Sequence, residues 1–311
     1  MDARNDEVAG FPRSAVRVLG ATRPWSFTMT AVSVALGTLA AGAEGVVDWW
    51  LALAALAGTL CLHAATNLGN DYFDFKAGVD APGSPSVRAR HHPLVERTLS
   101  PRQILTGAVA FWCAAAVIAA ILSIFRGWPL AALTAAGILA GYFYTAGPLR
   151  LKARALGELT AFIMWGPLMV LGAFFVQRET FAGSRHALLL STIQGFWVAQ
   201  VLLVNNVRDV EADSALRVHT PATLLGRKPA VALAAALAAG AYLLVAAAVL
   251  AGALRPWALL VWASAPLAVL LLRSLSARDV PGNAPAQAAR TAMVFGLLLV
   301  AALALGGVPS G

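Results

Sequence analysis

Charge is what this sequence has least of. Its 15 acidic and 23 basic side chains make up 12% of 311 residues, where soluble domains carry about 25%. Together with long uncharged runs, that deficit excludes an ordinary soluble domain and points to a polytopic membrane protein. Cysteine is scarce as well: Cys61 and Cys113 both fall in apolar runs. That excludes a disulfide framework or thiolate metal centre and leaves two small hydrophobes expected in buried positions. Charges never gather into a segment able to fold alone. The expected layout is therefore a cytoplasmic N-terminal segment, 1–23, followed by one transmembrane domain, 24–311.

What the chain has instead is apolar length: 59% of residues are hydrophobic and the mean hydropathy is +0.73. Spans of about 20 residues are expected near 24–42, 49–69, 103–124, 128–146, 156–176, 187–206, 230–251, 257–272 and 291–307. The fold class is accordingly all-α, a transmembrane bundle of about nine helices. Asp2, Asp6 and Glu7 among the first 23 residues make that stretch too long and too acidic for the leader of a cleaved signal peptide. With nine spans the two ends lie on opposite sides. One side then holds 19 of the 23 Lys/Arg, and the other keeps only Arg126, Arg178, Arg185 and Arg255. By the positive-inside rule the N-terminus is cytoplasmic, in the cell (inner) membrane. The net charge of +8 is explained by topology and anionic lipid, so no nucleic-acid partner is expected.

Two polar stripes interrupt the apolar pattern. The second span ends in Asn67-Leu-Gly-Asn70-Asp71-Tyr-Phe-Asp74, with polar residues at i, i+3, i+4 and i+7 on one helix face. The sixth ends in Asn205-Asn206-Val-Arg208-Asp209-Val-Glu-Ala-Asp213, with acids four apart. Asp71 and Asp209 are 138 positions apart, both closing an even-numbered span. This spacing reads as two pseudo-repeats of four helices plus one. Stacked like charges need a cation, and oxygen-only ligands favour a hard ion, Mg²⁺ before Zn²⁺. Two facing clusters suit two or more Mg²⁺ bridging a diphosphate. All of these acids fall on the cytoplasmic side, and so would the chemistry.

At these residues the sequence resembles the UbiA superfamily of intramembrane prenyltransferases. Within it the nearest branch is the 1,4-dihydroxy-2-naphthoate polyprenyltransferases of menaquinone synthesis. Four stretches carry the likeness: Arg23-Pro24-Trp25; Asn67 to Asp80, including Lys76-Ala-Gly78-Val-Asp80; Tyr144 to Glu158 with Trp165-Gly166-Pro167; and Asn205 to Asp213 with Leu225-Gly226-Arg227. In one respect the chain departs from the family. Many members have Lys four residues after the Tyr, whereas here Lys152 lies eight after Tyr144, so Arg150 and Lys152 both stand as phosphate contacts.

The resemblance implies alkylation of an aromatic ring by a polyprenyl diphosphate. Asn67, Asp71, Asp74, Asp209 and Asp213 would hold the metal-bridged diphosphate, with Asn70, Asn205 and Asn206 as further ligands. Lys76, Arg150, Lys152, Arg208 and Arg217 would contact phosphate oxygens. Tyr72, Phe73, Tyr142, Phe143, Tyr144 and Trp165 would face the allylic cation or the acceptor ring. Asp80 and Glu158 would deprotonate a hydroxyl or orient a basic neighbour. The implied acceptor is 1,4-dihydroxy-2-naphthoate, with loss of its carboxylate as CO₂; 4-hydroxybenzoate and homogentisate are alternatives. The loop near 75–102, with Arg88, Arg90, His91 and His92, reads as a lid or as a solvated loop, its histidines not as metal ligands. A transporter would also carry repeats and intramembrane acids, but at mid-depth in broken helices rather than at two helix ends on one side.

Overall fold

The computed structural model describes residues 7–8, 11–277 and 279–309. A two-residue antiparallel pair, β1 (Glu7–Val8) with β2 (Phe11–Pro12), precedes an all-helical chain. The helices are α1 (Arg13–Ala21), α2 (Phe27–Gly42), α3 (Trp49–Lys76), α4 (Pro85–Ala89), α5 (Pro101–Arg126) and α6 (Trp128–Thr145), then α7 (Gly157–Ile163), α8 (Met169–Arg178), α9 (Arg185–Ala215), α10 (Pro221–Leu225), α11 (Arg227–Leu250), α12 (Ala265–Leu275) and α13 (Ala284–Gly306). Among the described residues eight segments are long and apolar enough to cross a membrane. The fourth expected span is α6, 18 residues without a charged side chain. The protein is a multi-pass membrane protein.

Local signals start these helices where the sequence puts them. The Asp48 carboxylate accepts from the backbone N–H of Trp50 and Leu51 at 2.8 and 3.2 Å, capping α3. Ser100 and Gln103 form a reciprocal capping box ahead of Pro101 at the head of α5. Gly127, at φ +88°, ends α5 and begins α6 within one residue.

Four elements differ from the expected spans. The fifth is one path with a break: α7 and α8 are joined by a π-turn, Met164–Leu168, around Pro167 and the non-helical Gly166. The Trp165 carbonyl beside the break accepts from Ser33 Oγ at 2.7 Å. The eighth begins as a 3₁₀ run, Pro256–Ser264, before α12. The second and sixth are longer than expected, 28 and 31 residues. At 1.5 Å per residue they reach about 42 and 46 Å, against a hydrocarbon core of about 30 Å. Both Asn/Asp motifs are therefore fully helical.

The most deeply buried span is α9, packing against α2, α7, α11 and α13. Leu190, Ile193, Trp197, Leu203 and Val204 anchor the largest apolar core. A smaller core sets Ala21 of α1 against Leu68 of α3 and Ile104 of α5. Of the two cysteines, Cys113 is exposed on the outer face of the bundle rather than buried, and Cys61 is half-buried. On α5 the apolar pattern runs all round the helix, so sequence alone did not say which side faces lipid.

Candidate active site

Along α3 the polar stripe faces the turn Pro24–Ser26 and α6. Asn67 Nδ2 donates to the Thr22 carbonyl at 2.8 Å and to Ser26 Oγ at 3.3 Å. Among the described residues no donor reaches its Oδ1. Asn70 Nδ2 donates to Thr145 Oγ1 at 3.0 Å. Asp71 is fully buried and accepts from the guanidinium groups of Arg23 and Arg90, the latter at 2.6 Å. Asp74, 4% exposed, accepts from Lys152 Nζ at 2.7 Å. Buried carboxylates are costly without a cation, and losing one partner typically costs about 3–5 kcal/mol. Each acid of this stripe has its cation within hydrogen-bond reach.

The second stripe is brought to the first by two loops. After α6 the chain runs through Arg150 and the 3₁₀ turn Leu151–Ala153; after α9 it runs through Leu216 to Thr220. The loops pair where the Ala155 N–H donates to the His219 carbonyl at 2.7 Å. Beneath them is a small recess lined by Asp74, Tyr144, Arg150, Lys152 and Asp213. One acid from each stripe thus borders the same space, with two basic side chains between them. Burial pulls the Lys152 ammonium down, but the charges of Asp74 and Asp80 and the Asp74 hydrogen bond outweigh it and raise its pKa. Lys152 therefore stays cationic. Arg23, Arg150 and Arg217 all hold φ between +45° and +60°, a left-handed backbone uncommon for these residues.

Not every expected residue faces the recess. Asp209 is held by its neighbour Arg208 in a fork, Nε–Oδ1 2.5 Å and Nη2–Oδ2 2.6 Å. Asn206 donates to Glu158 Oε1 at 2.7 Å, and Asn205 to the Val201 carbonyl one turn back. Lys76 and Arg217 are exposed. Tyr72, Phe73, Tyr142 and Phe143 form an edge-to-face series between α3 and α6, whereas Trp165 packs on His63.

Three residues absent from the expected ligand set belong to the site: Arg23, Arg90 and His92. His92 is fully buried, accepts at Nδ1 from the Val95 N–H (3.4 Å), and so donates from Nε2 to Asp80 at 3.0 Å. That nitrogen lies 4.0 Å from Asp71. Asp71, Asp80 and His92 thus bring three potential ligand atoms within 4.8 Å of one another. Burial would raise the Asp80 carboxyl, but the His92 hydrogen bond, the Lys152 charge and the Ser86 hydroxyl hold it well below the usual range. The loop after α3 is therefore folded over the stripe. A run of arginines and histidines in a loop carries no periodicity, so its docking on Asp71 and Asp80 was not readable from spacing.

Carboxylates and an amide oxygen suit a hard cation, with the His92 nitrogen as one further donor beside Asp71, and an ion would relieve the protein cations that now balance Asp71 and Asp74. Residues 30–299 match the sequence profile described as the UbiA prenyltransferase family. The chain is 35% identical over 281 residues to a 1,4-dihydroxy-2-naphthoate octaprenyltransferase of Bacillus subtilis, covering 89% of each. It is 35% identical over 209 residues to UbiA prenyltransferase domain-containing protein 1 of Mus musculus, covering 66% of this chain and 60% of that protein. The fold matches a UbiA homologue of Aeropyrum pernix (TM-score 0.69, 18% identity, 90% of this chain and 97% of that one). It also matches one from Archaeoglobus fulgidus bound to GPP and Mg²⁺ (TM-score 0.64, 15% identity, 92% and 99%).

Proposed function

The chain belongs to the UbiA prenyltransferase family, and from that premise we propose that it moves a polyprenyl chain from its diphosphate onto 1,4-dihydroxy-2-naphthoate, with loss of the acceptor carboxylate. The observation that carries the reading is the shared recess, where Asp74 of α3 and Asp213 of α9 face Lys152 and Arg150. A diphosphate held there would meet the two basic side chains, and the acids of the two stripes would hold Mg²⁺ beside it. The naphthoate acceptor rests on the Bacillus subtilis relative, whose name carries that substrate.

Asn67, Asp71, Asp74, Asp209 and Asp213 would hold Mg²⁺. Bound there, the ion neutralises negative charge on the departing diphosphate. Lys152 and Arg150 hold phosphate oxygens by charge-assisted hydrogen bonds and stabilise the charge that grows as the allylic C–O bond breaks. Arg23 and Arg90 pair with Asp71 and would be further phosphate contacts beside it. The ring carbon that bears the carboxylate attacks the allylic carbon, and CO₂ leaves with its bonding electrons returned to the ring. The apolar bundle keeps water from the allylic cation. Topologically we read the N-terminus and the recess as cytoplasmic, because 19 of 23 basic residues fall on that side, in the cell (inner) membrane.

The test is a product assay. Purified protein, Mg²⁺ and a labelled prenyl diphosphate are offered a panel of aromatic acids, and products are identified by mass. Prenylated, decarboxylated naphthoquinol is expected. An inert dihydroxynaphthoate beside an active 4-hydroxybenzoate would overturn the acceptor. Asp71→Ala and Asp209→Ala should each abolish Mg²⁺-dependent transfer while eluting as folded protein in detergent. Full activity in both would remove the metal cluster.

A further inference from the structure

One buried histidine lies outside the machinery described so far. His63 sits on α3 one turn before Asn67 and two before Asp71, so it shares their face. It is 6% exposed, far inside the bundle, and both ring nitrogens have partners. Nδ1 lies 2.8 Å from Thr30 Oγ1 and Nε2 lies 3.2 Å from Ser26 Oγ. Trp165 meets the ring edge-on at 4.9 Å between centroids, and Phe27 at 5.2 Å.

The direction of this chain of bonds follows from its ends. Trp165 Nε1 is a donor only, and it donates to Thr30 Oγ1 at 3.0 Å. Among the described residues Nδ1 is the one acceptor within reach of the Thr30 hydroxyl proton, which leaves the ring neutral with its own proton on Nε2. That proton goes to Ser26 Oγ. The Ser26 hydroxyl in turn donates to the Arg23 carbonyl at 2.7 Å, and its remaining lone pair accepts from Asn67 Nδ2 at 3.3 Å. Every donor in the series finds one acceptor, from the break in the fifth span to the metal-facing amide.

We propose that His63 is a positioning residue for Asn67 and for the turn that carries Arg23. It rests on the reading of Asn67 as a metal ligand. By occupying one lone pair of Ser26, the imidazole commits the Ser26 proton to Arg23. This aims Asn67 Nδ2 away from the site and turns Oδ1 toward it. The same bond pins the left-handed Arg23 (φ +60°), whose guanidinium reaches Asp71. Outer-shell partners of this kind orient metal ligands, and their loss typically weakens metal binding about 10- to 100-fold.

The experiment measures metal binding directly, by titrating purified protein in detergent with Mn²⁺ and following the free-ion EPR signal. His63→Leu and Ser26→Ala should weaken Mn²⁺ binding by about 10-fold or more, and His63→Gln, which keeps a donor toward Ser26, should recover most of it. In turnover assays the half-saturating Mg²⁺ concentration should rise in the same two variants, while kcat at saturating metal stays near wild type. Ser26 is half-buried, so Ser26→Ala decides the matter if His63→Leu misfolds. Asp71→Asn is the control for the underlying site. Undiminished Mn²⁺ binding in Asp71→Asn would remove the metal reading itself. Loss in Asp71→Asn with wild-type binding in Ser26→Ala would overturn the role of His63 alone.

Discussion

At the scale of single residues, the first stripe holds two buried acids, Asp71 and Asp74, each matched to a base from elsewhere in the chain. Lys152 pairs with Asp74 and borders the same recess as Asp213. Lys152→Met should lower kcat/KM by about 10²–10³ in the prenyl-transfer assay, the usual effect of losing one group that stabilises transition-state charge. An unchanged rate would shift the phosphate contact to Arg150, the choice that the spacing from Tyr144 leaves open. The acids themselves were legible, because four polar side chains at i, i+3, i+4 and i+7 on an apolar helix are costly unless a cation or polar ligand meets them. Their partners were not. Arg23 and Arg90 reach Asp71 from 48 and 19 residues away, and each sits in a segment where basic residues are already accounted for by topology. The role of His63 was hidden for a related reason: its partners lie in the turn Pro24–Ser26, on α2 and in the fifth span, and no local pattern links them.

At the scale of elements, the break in the fifth span sets how closely α9 approaches. A Cβ on Gly166 would come within 2.5 Å of the Ser191 carbonyl and 3.1 Å of Gly195 Cα, both backbone atoms of α9. Neither atom can swing aside. Gly166→Ala should therefore destabilise the protein by about 1–3 kcal/mol, as overpacking does, and lower the thermal midpoint in detergent. A midpoint equal to wild type would mean that the two helices separate at little cost. Helix number and order were readable from apolar length, but the π-turn was not. Trp165-Gly166-Pro167 in sequence marks a breaker without saying that Ser33 will take the carbonyl it exposes.

At the scale of the whole molecule, two acidic helix ends share one face of the bundle, and the loops after α6 and α9 lace them together. Ligands bound at such a joint stabilise the fold that makes it. A prenyl diphosphate with Mg²⁺ at about 100 times its dissociation constant should add about 2.7 kcal/mol. The check is a rise in thermal midpoint that EDTA abolishes. A midpoint indifferent to both would place the ligand elsewhere. The 138-residue offset of Asp71 and Asp209 reads as a repeat, yet the two stripes are held differently. Arg90 and His92 in the loop after α3 dock on the first stripe, whereas Asp209 is held by its own neighbour.

The overhang of α3 and α9 has a kinetic consequence. Helices of 28 and 31 residues outrun the hydrocarbon layer by about 12 Å or more, and both carry their Asn/Asp stripes toward the C-terminal end, where an overhang on that side would set the recess at headgroup depth. An amphiphile whose anionic head rests at the interface and whose tail dissolves in the bilayer reaches such a site by lateral diffusion. Turnover in vesicles should therefore track the surface mole fraction of the prenyl diphosphate. Adding inert phospholipid at constant bulk substrate should slow the reaction, and a rate that ignored this dilution would mean capture from the aqueous phase.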